Sequence, residues 1–236
     1  MEEIGAYYQC YNRKESTNFV LKNFRLHYPT SNCVLICDGG LDFSKASKEY
    51  NCFYLYENRI ANVKNLVFND PKYLFEFINR MAKYIKKIQE DFFMILEDDV
   101  FVMSNTNISD LIYDINGCNF GEFLDKSLYN LIKDKNPNKI YEKGLFSGAC
   151  GGSILRNSFF IEHLSNNESL GNDIIEYCKN SNQNNWASDR FLSYLCWKYG
   201  GNIGQYKGFC ETWYQDYNIR MKNKDIEVLH QYKDLY

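Results

Sequence analysis

Phe92-Phe93-Met94-Ile95-Leu96 is an apolar run flanked by Asp91 on one side and by Glu97-Asp98-Asp99 on the other, and no other segment constrains the fold as tightly. An apolar run of this length between charges reads as a strand buried on both faces, which requires helices above and below the sheet that contains it. The acids then stand at the C-terminal edge of that sheet, where open α/β sheets bind their ligands. Alternating side-chain direction puts Glu97 and Asp99 on one face and Asp98 on the other. Carboxylates this close repel one another unless a hard cation such as Mg2+ or Mn2+ lies between them, and such a cation commonly brings substrate phosphates with it. An acidic surface turn is the alternative, but a solvated turn has no need of three acids directly after a fully buried strand.

Upstream, the chain alternates strands and helices. Ile4 to Cys10 reads as a first strand, and Glu15 to His27 as a helix with Phe19, Val20, Phe24 and Leu26 at roughly helical spacing, stopped by Pro29. Cys33 to Cys37 is a second buried strand that closes on Asp38-Gly39-Gly40, where the glycines permit a tight turn or a close backbone approach. A short helix from Phe43 to Tyr50 and a third strand from Cys52 to Tyr56 follow. This βαβαβ order with short connections predicts a parallel sheet with right-handed crossovers. Pro71 opens the longest helix, expected to run to about Glu90 with Tyr73, Leu74, Phe77, Ile78, Met81, Tyr84, Ile85 and Ile88 on one stripe.

Beyond the acids the pattern loosens. From Ser104 to Lys143 the chain is polar and irregular, with a weak helical signal from Phe123 to Ile132, and reads as an insertion on one rim where an acceptor is held. Gly144 to Phe160 reads as a small-residue turn, a strand and the start of a helix, and Ser188 to Tyr199 as an amphipathic helix begun by a Ser-Asp cap.

With 236 residues, 45% hydrophobic and 24% charged, the chain can bury a core without disulfides, and disorder is excluded as its default state. A formal net charge of -3 supplies no basic surface for a polyanion, so nucleic acid is excluded as the main partner while a small phosphorylated ligand is not. Aromatic residues at 17% suit stacking on bases or sugars, or reflect a coding bias that also enriches Asn, Lys and Ile. The nine cysteines form no CxxC pair and read as reduced core residues of a cytoplasmic protein. No apolar run approaches the ~20 residues that span a bilayer, so neither a membrane anchor nor secretion is expected.

Taken in order, a nucleotide-binding βαβαβ half, an E-x-D or D-x-D motif near residue 100, a Gly-rich strand beyond it and an acid at a later helix start resemble a glycosyltransferase of the GT-A fold, closest in style to the small soluble enzymes of large DNA viruses. The resemblance covers most of the chain. It implies a single α/β domain with a mostly parallel central sheet flanked by helices: a Rossmann-like nucleotide-binding half over residues 1–104, and an acceptor and donor-sugar half over 105–236. It further implies a nucleoside diphosphate sugar donor, uridine being the commonest base, a glycan or glycoprotein acceptor, and Mn2+ or Mg2+ as cofactor.

Residue by residue, the resemblance puts the nucleotide against Tyr8-Gln9-Cys10-Tyr11-Asn12-Arg13 and Asp38-Gly39-Gly40. Tyr8 or Tyr11 would stack on the base, Asp38 would accept hydrogen bonds from the base edge or ribose, and Arg13 would reach a phosphate. A turn-forming Asp38 and a solvated Arg13 are the alternatives. Arg80 and Lys83 of the long helix are candidates for further nucleotide contacts or simple surface charges. The family's metal ligands map onto Asp99 first, with Glu97 assisting and Asp98 least certain, and onto His230 near the C-terminus; a structural His230 is the alternative. Asp189 stands where inverting members keep the base that deprotonates the acceptor, with Trp186 as an apolar floor for a sugar, although Ser188 and Asp189 also suit a helix cap. Gly151-Gly152 fits the small-residue turn beside the donor sugar, or a tight start to a strand.

Three other classes fit less well. A sugar nucleotidyltransferase typically carries a G-x-G-T-R-like loop after its first strand, whereas Gln9-Cys10-Tyr11-Asn12-Arg13 contains no glycine. A metal-dependent nuclease would want a basic groove, and a non-catalytic sugar-nucleotide or glycan-binding module would not need both Asp99 and Asp189.

Overall fold

The computed structural model describes residues 4–60, 63–64, 67–117, 126–136, 148–211 and 225–230. In chain order the elements are β1 (Gly5–Cys10), α1 (Lys14–His27), β2 (Cys33–Asp38), α2 (Ser44–Glu49), β3 (Phe53–Glu57), β4 (Val63–Lys64), β5 (Val67–Phe68), α3 (Pro71–Ile85), β6 (Phe92–Leu96), β7 (Phe101–Val102), β8 (Ile115–Gly117), α4 (Lys126–Lys135), β9 (Ile154–Arg156), α5 (Asn157–Leu164), α6 (Asn167–Asn180), α7 (Ser188–Lys198), β10 (Ile203–Gln205), β11 (Phe209–Glu211) and β12 (Val228–His230).

Seven strands form the central sheet in the order β10-β8-β9-β6-β1-β2-β3. The expected βαβαβ half is present: β1 pairs in parallel with β2 and β6, and β2 with β3. β9 departs from the parallel expectation, running antiparallel to both β6 and β8, so the sheet is mixed but mostly parallel. The alternation of side chains along β1, β2 and β6 feeds two cores at once. Tyr7, Ile36 and Phe93 join α3, α5, α6 and α7 on one face, while Tyr8, Leu35 and Met94 meet Val20, Leu21 and Phe24 of α1 on the other. No disulfide joins the eight described cysteines, and all but Cys52 are buried. Among the described residues no helix is long and apolar enough to cross a membrane.

Two expectations need correcting. The long helix begins at Pro71, with the Asp70 side chain accepting from the Lys72 amide at 2.8 Å, but it ends at Ile85 rather than near Glu90. The amides of Lys87 and Ile88 bond three residues back, to Tyr84 and Ile85, which tightens and stops the helix. The Glu90 carboxylate then accepts the Asn32 amide at 2.6 Å, tying the approach to β6 to the approach to β2.

Nor is the first described part of the polar stretch after Ser104 a rim insertion; residues 118–125 and 137–143 lie outside the described residues. Ile115 and Asn116 of β8 are fully buried within the central sheet, and Asn116 donates to the carbonyls of Tyr113 and Ile154. Asparagines that bond internal backbone mimic a surface loop in composition. The weak helical signal corresponds to α4, which buries Leu128 and Ile132; Phe123 itself lies outside the described residues. α7 begins at Ser188 with Ala187 at its cap position, so Ser188 is not the cap, while the Asp189 carboxylate accepts backbone amides of Asp189 and Arg190 in the first turn.

Lys198 at the end of α7 is 10% exposed and reaches Asp173 at 2.6 Å and Glu176 at 2.5 Å, both on α6. Burial raises the Glu176 pKa, but Lys198, the Tyr194 hydroxyl and Lys135 outweigh it and hold the carboxyl at about 2, against an ordinary 4.5. A depressed folded-state pKa contributes stability that is complete above the unfolded value and is lost as pH falls through the folded one. Glu176→Gln is expected to lower stability near neutrality by about 1–2 kcal/mol. The gap between variant and wild type should close from about pH 5 towards pH 2 in urea unfolding followed by far-UV circular dichroism.

Candidate functional site

The connection that leads from β1 to β2 and β3 adds strands on one side of β1, whereas β6 adds on the other. The reversal opens a crevice between the C-terminal ends of β1 and β6, the position at which open α/β sheets place ligands. A cleft of about 530 Å³ occupies it, lined by Gln9, Tyr11, Arg13, Asp38, Arg59, Glu97, Asp98, Asp99 and Ser188 among others.

On the β6 side the strand ends at Leu96 and the acids occupy a turn, closed by the Val100 amide on the Glu97 carbonyl at 3.2 Å. The expected division of the acids holds. Asp98 accepts the Tyr8 hydroxyl at 2.7 Å and lies 3.7 Å from Arg13 Nε, and burial raises its pKa against both partners. Glu97 and Asp99 instead each place a carboxylate oxygen 3.6 Å from His230 Nε2. Tyr8 is thereby a fully buried support for Asp98 rather than an exposed stacking surface.

His230 reaches these acids through a second, three-stranded sheet ordered β11-β12-β7. β7 starts just after the acidic turn and pairs antiparallel with β12, so the turn and His230 are held side by side. β11 runs parallel to β12 with Glu211 opposite His230, and Glu211 Oε2 lies 2.6 Å from His230 Nδ1. This contact fixes the ring so that Nε2 faces Glu97 and Asp99. Nε2 is buried and has no hydrogen-bond partner among the described residues. Burial works against a charged imidazole, yet Cys150, Glu211 and Glu97 together hold the His230 pKa well above 6.5. Glu97, Asp99 and His230 offer ligand atoms within 4.8 Å of one another and could hold a metal ion.

Gly151 makes that approach possible. A Cβ there would lie 2.8 Å from Glu97 Cδ and 2.9 Å from His230 Cδ2, so these two side chains require that position 151 carry none. Gly152 adopts φ +82, and a Cβ on it would press on Phe209 and Val228 at 2.9 Å.

On the β1–β2 side, Asp38 accepts Arg80 at 2.6 Å and the Ile60 amide at 3.0 Å. Arg80 also donates to the Asn58 carbonyl, so it braces Asp38 instead of reaching into the cleft. Gln9 accepts the Tyr7 hydroxyl at 3.0 Å, while its buried Nε2, at the cleft wall, has no partner among the described residues. The Arg59 guanidinium lies 3.9 Å from the centre of the Tyr11 ring. Lys83 packs on Tyr84 at 4.7 Å and is not part of the cleft wall, nor is Trp186, whose carbonyl accepts the Phe68 amide. Asp189 sits in the first turn of α7, its pKa raised by burial and by the charge of Glu97 despite Arg190.

Sequence reasoning missed Glu211, Cys150 and Arg59. Glu211 carried a signal, being an acid that ends an apolar Phe209-Cys210 pair, but only the pairing of β11 with β12 shows what it meets.

No protein-family profile matches the chain, and no curated protein matches it. Among solved structures, the fold is similar to that of the galactosyltransferase LgtC in complex with donor and acceptor sugar analogues, at a TM-score of 0.53 and 12% identity over 96% of this chain and 86% of that one. An active-site mutant of LgtC is similar at a TM-score of 0.50 and 11% identity, with the same coverage of 96% and 86%. The chain is accordingly a single mixed α/β domain of the GT-A-like kind.

Gly151→Ala pushes a methyl group into Glu97 and His230 and displaces them without removing any candidate ligand. Isothermal titration with Mn2+ is expected to show affinity reduced by about 10- to 100-fold, the range typical of disturbed supporting residues at metal sites.

Proposed function

We propose that this protein is a metal-dependent glycosyltransferase that moves a sugar from a nucleoside diphosphate sugar, with uridine as the base, to a hydroxyl of a glycan or glycoprotein. The observation that carries the proposal is His230 Nε2, buried without a hydrogen-bond partner among the described residues and 3.6 Å from both Glu97 and Asp99, which line a switch-point cleft. A buried imidazole nitrogen directed at paired carboxylates fits a metal ligand, and a set of two carboxylates and one imidazole suits Mn2+ ahead of Mg2+. When bound, such an ion neutralises negative charge that develops on a departing diphosphate.

The remaining assignments follow from what each side chain has to offer. Asp38, braced by Arg80, presents an acceptor to a base edge or a ribose hydroxyl, and Gln9 Nε2 presents a donor to a base carbonyl. Tyr11 with Arg59 supplies a flat, cationic surface at the cleft wall. Arg13, opposite Asp98, brings positive charge towards the phosphates, and its exposed side chain is free to extend. Asp189 is the group for the acceptor's proton: burial and the neighbouring Glu97 charge raise its pKa towards the working range of a general base. In a single displacement the acceptor oxygen bonds the anomeric carbon as the diphosphate leaves, Asp189 takes the hydroxyl proton, and the anomeric configuration inverts.

The test is thermal stability against a panel of nucleoside diphosphates and their sugars, with and without Mn2+. A stabilisation of about 2.7 kcal/mol is expected at a hundredfold excess over Kd for the uridine ligand with Mn2+, and none in Asp99→Ala. Absence of a shift with every nucleotide overturns the proposal. With the donor known, Asp189→Asn should lower kcat by about 10²- to 10⁴-fold while keeping the donor-induced stabilisation. NMR of the product's anomeric proton should show inversion, and a retained configuration would remove Asp189 from the role of base.

A further inference from the structure

His230 belongs to a second donor set. Cys150, Glu211 and His230, each buried, offer one ligand atom apiece within 4.8 Å of one another. The chemistry of this set differs from that of its neighbour. Two carboxylates and an imidazole suit hard ions, whereas a thiolate with an imidazole and a carboxylate selects softer ones such as Zn2+ or Co2+. Cys150 is also no ordinary core cysteine. It lies in the turn that leads to Gly151, whose backbone abuts Glu97 and His230, and its thiol interacts with the same imidazole and with Ser153 Oγ at 3.6 Å.

We propose that Cys150, Glu211 and His230 form a separate site for Zn2+ or a similar thiophilic divalent ion, sharing His230 with the carboxylate set of Glu97 and Asp99. Binding exchanges two protons for metal bonds: the Cys150 S–H proton and the His230 Nδ1–H proton that faces Glu211 both leave to solvent as sulfur and Nδ1 ligate the ion, and the Glu211 carboxylate turns from Nδ1 to the ion. The site itself does not depend on the glycosyltransferase reading. Its consequence for Mn2+ does, because one imidazole serves both sets, so Zn2+ in the thiolate set opposes Mn2+ in the carboxylate set.

The experiment titrates chelator-treated protein with Co2+ and follows the thiolate-to-cobalt charge-transfer band in the near ultraviolet. The band should form in the wild type and in a Glu97→Gln/Asp99→Asn variant, disappear in Cys150→Ser, and be displaced by Zn2+. In parallel, Zn2+ should slow alkylation of Cys150 by iodoacetamide at least ~10-fold, read by peptide mass spectrometry; this arm uses wild-type protein and decides the matter if Cys150→Ser does not fold. A band that persists in Cys150→Ser, no band in the wild type, or alkylation indifferent to Zn2+ each overturns the site. Zn2+ should also abolish the Mn2+-dependent nucleotide stabilisation of the wild type and not that of Cys150→Ser. If no nucleotide stabilises the protein at all, the glycosyltransferase reading fails while the cobalt band still judges the site.

Discussion

The pairing of β1 with β2 on one side and β6 on the other governs the architecture around it. Because the chain builds outward from β1 in both directions, a gap is left above the ends of β1 and β6 that neither connecting helix can fill. The parallel ladder also explains why β1, β2 and β6 are apolar along nearly their whole length: each strand feeds side chains alternately into two cores. Gln9, Asp38 and Glu97 are where that apolar pattern stops, and all three line the cleft.

The cluster of Glu97, Asp99, Glu211 and His230 adds a second layer of constraint, in which backbone pairing brings distant segments together. β7, one short step beyond the acids, holds β12 by an antiparallel ladder, and β12 holds β11 by a parallel one. Glu211 and His230 are thereby brought beside the turn that carries Glu97 and Asp99, and Gly151 leaves room where the ring and the Glu97 carboxylate approach its backbone. Gathering the buried Glu211 and the partly buried Glu97 and Asp99 around one imidazole favours positive charge on the ring, and Cys150, Glu211 and Glu97 raise the His230 pKa although burial opposes it.

Much of this was legible from the residues. The apolar run ending in Glu97-Asp98-Asp99 gave a buried strand, its place in the sheet and the opposite facing of Asp98, because burial on two faces and side-chain alternation are local properties. Asp38 and Gln9 were identifiable as strand-end residues for the same reason. What stayed hidden were the contacts between distant segments: Glu211 against His230, Arg80 turned onto Asp38, and β8 inside the sheet despite its polar surroundings. Gly151 illustrates the limit. Its small size was visible, but the atoms that require it belong to Glu97 and His230, remote in sequence from each other.

The order of these segments along the chain has a temporal consequence. Synthesis runs from the N-terminus, and β1, β2, β3 and β6 with their helices leave the ribosome well before β11 and β12. A nascent chain therefore holds β1, β2, β3 and β6, with Glu97 and Asp99, while His230 is still unmade. The carboxylates meet this imidazole only where β12 pairs with β7, so their arrangement depends on the last described strand of the chain. A chain that stops short of β12 carries the acids but not the imidazole.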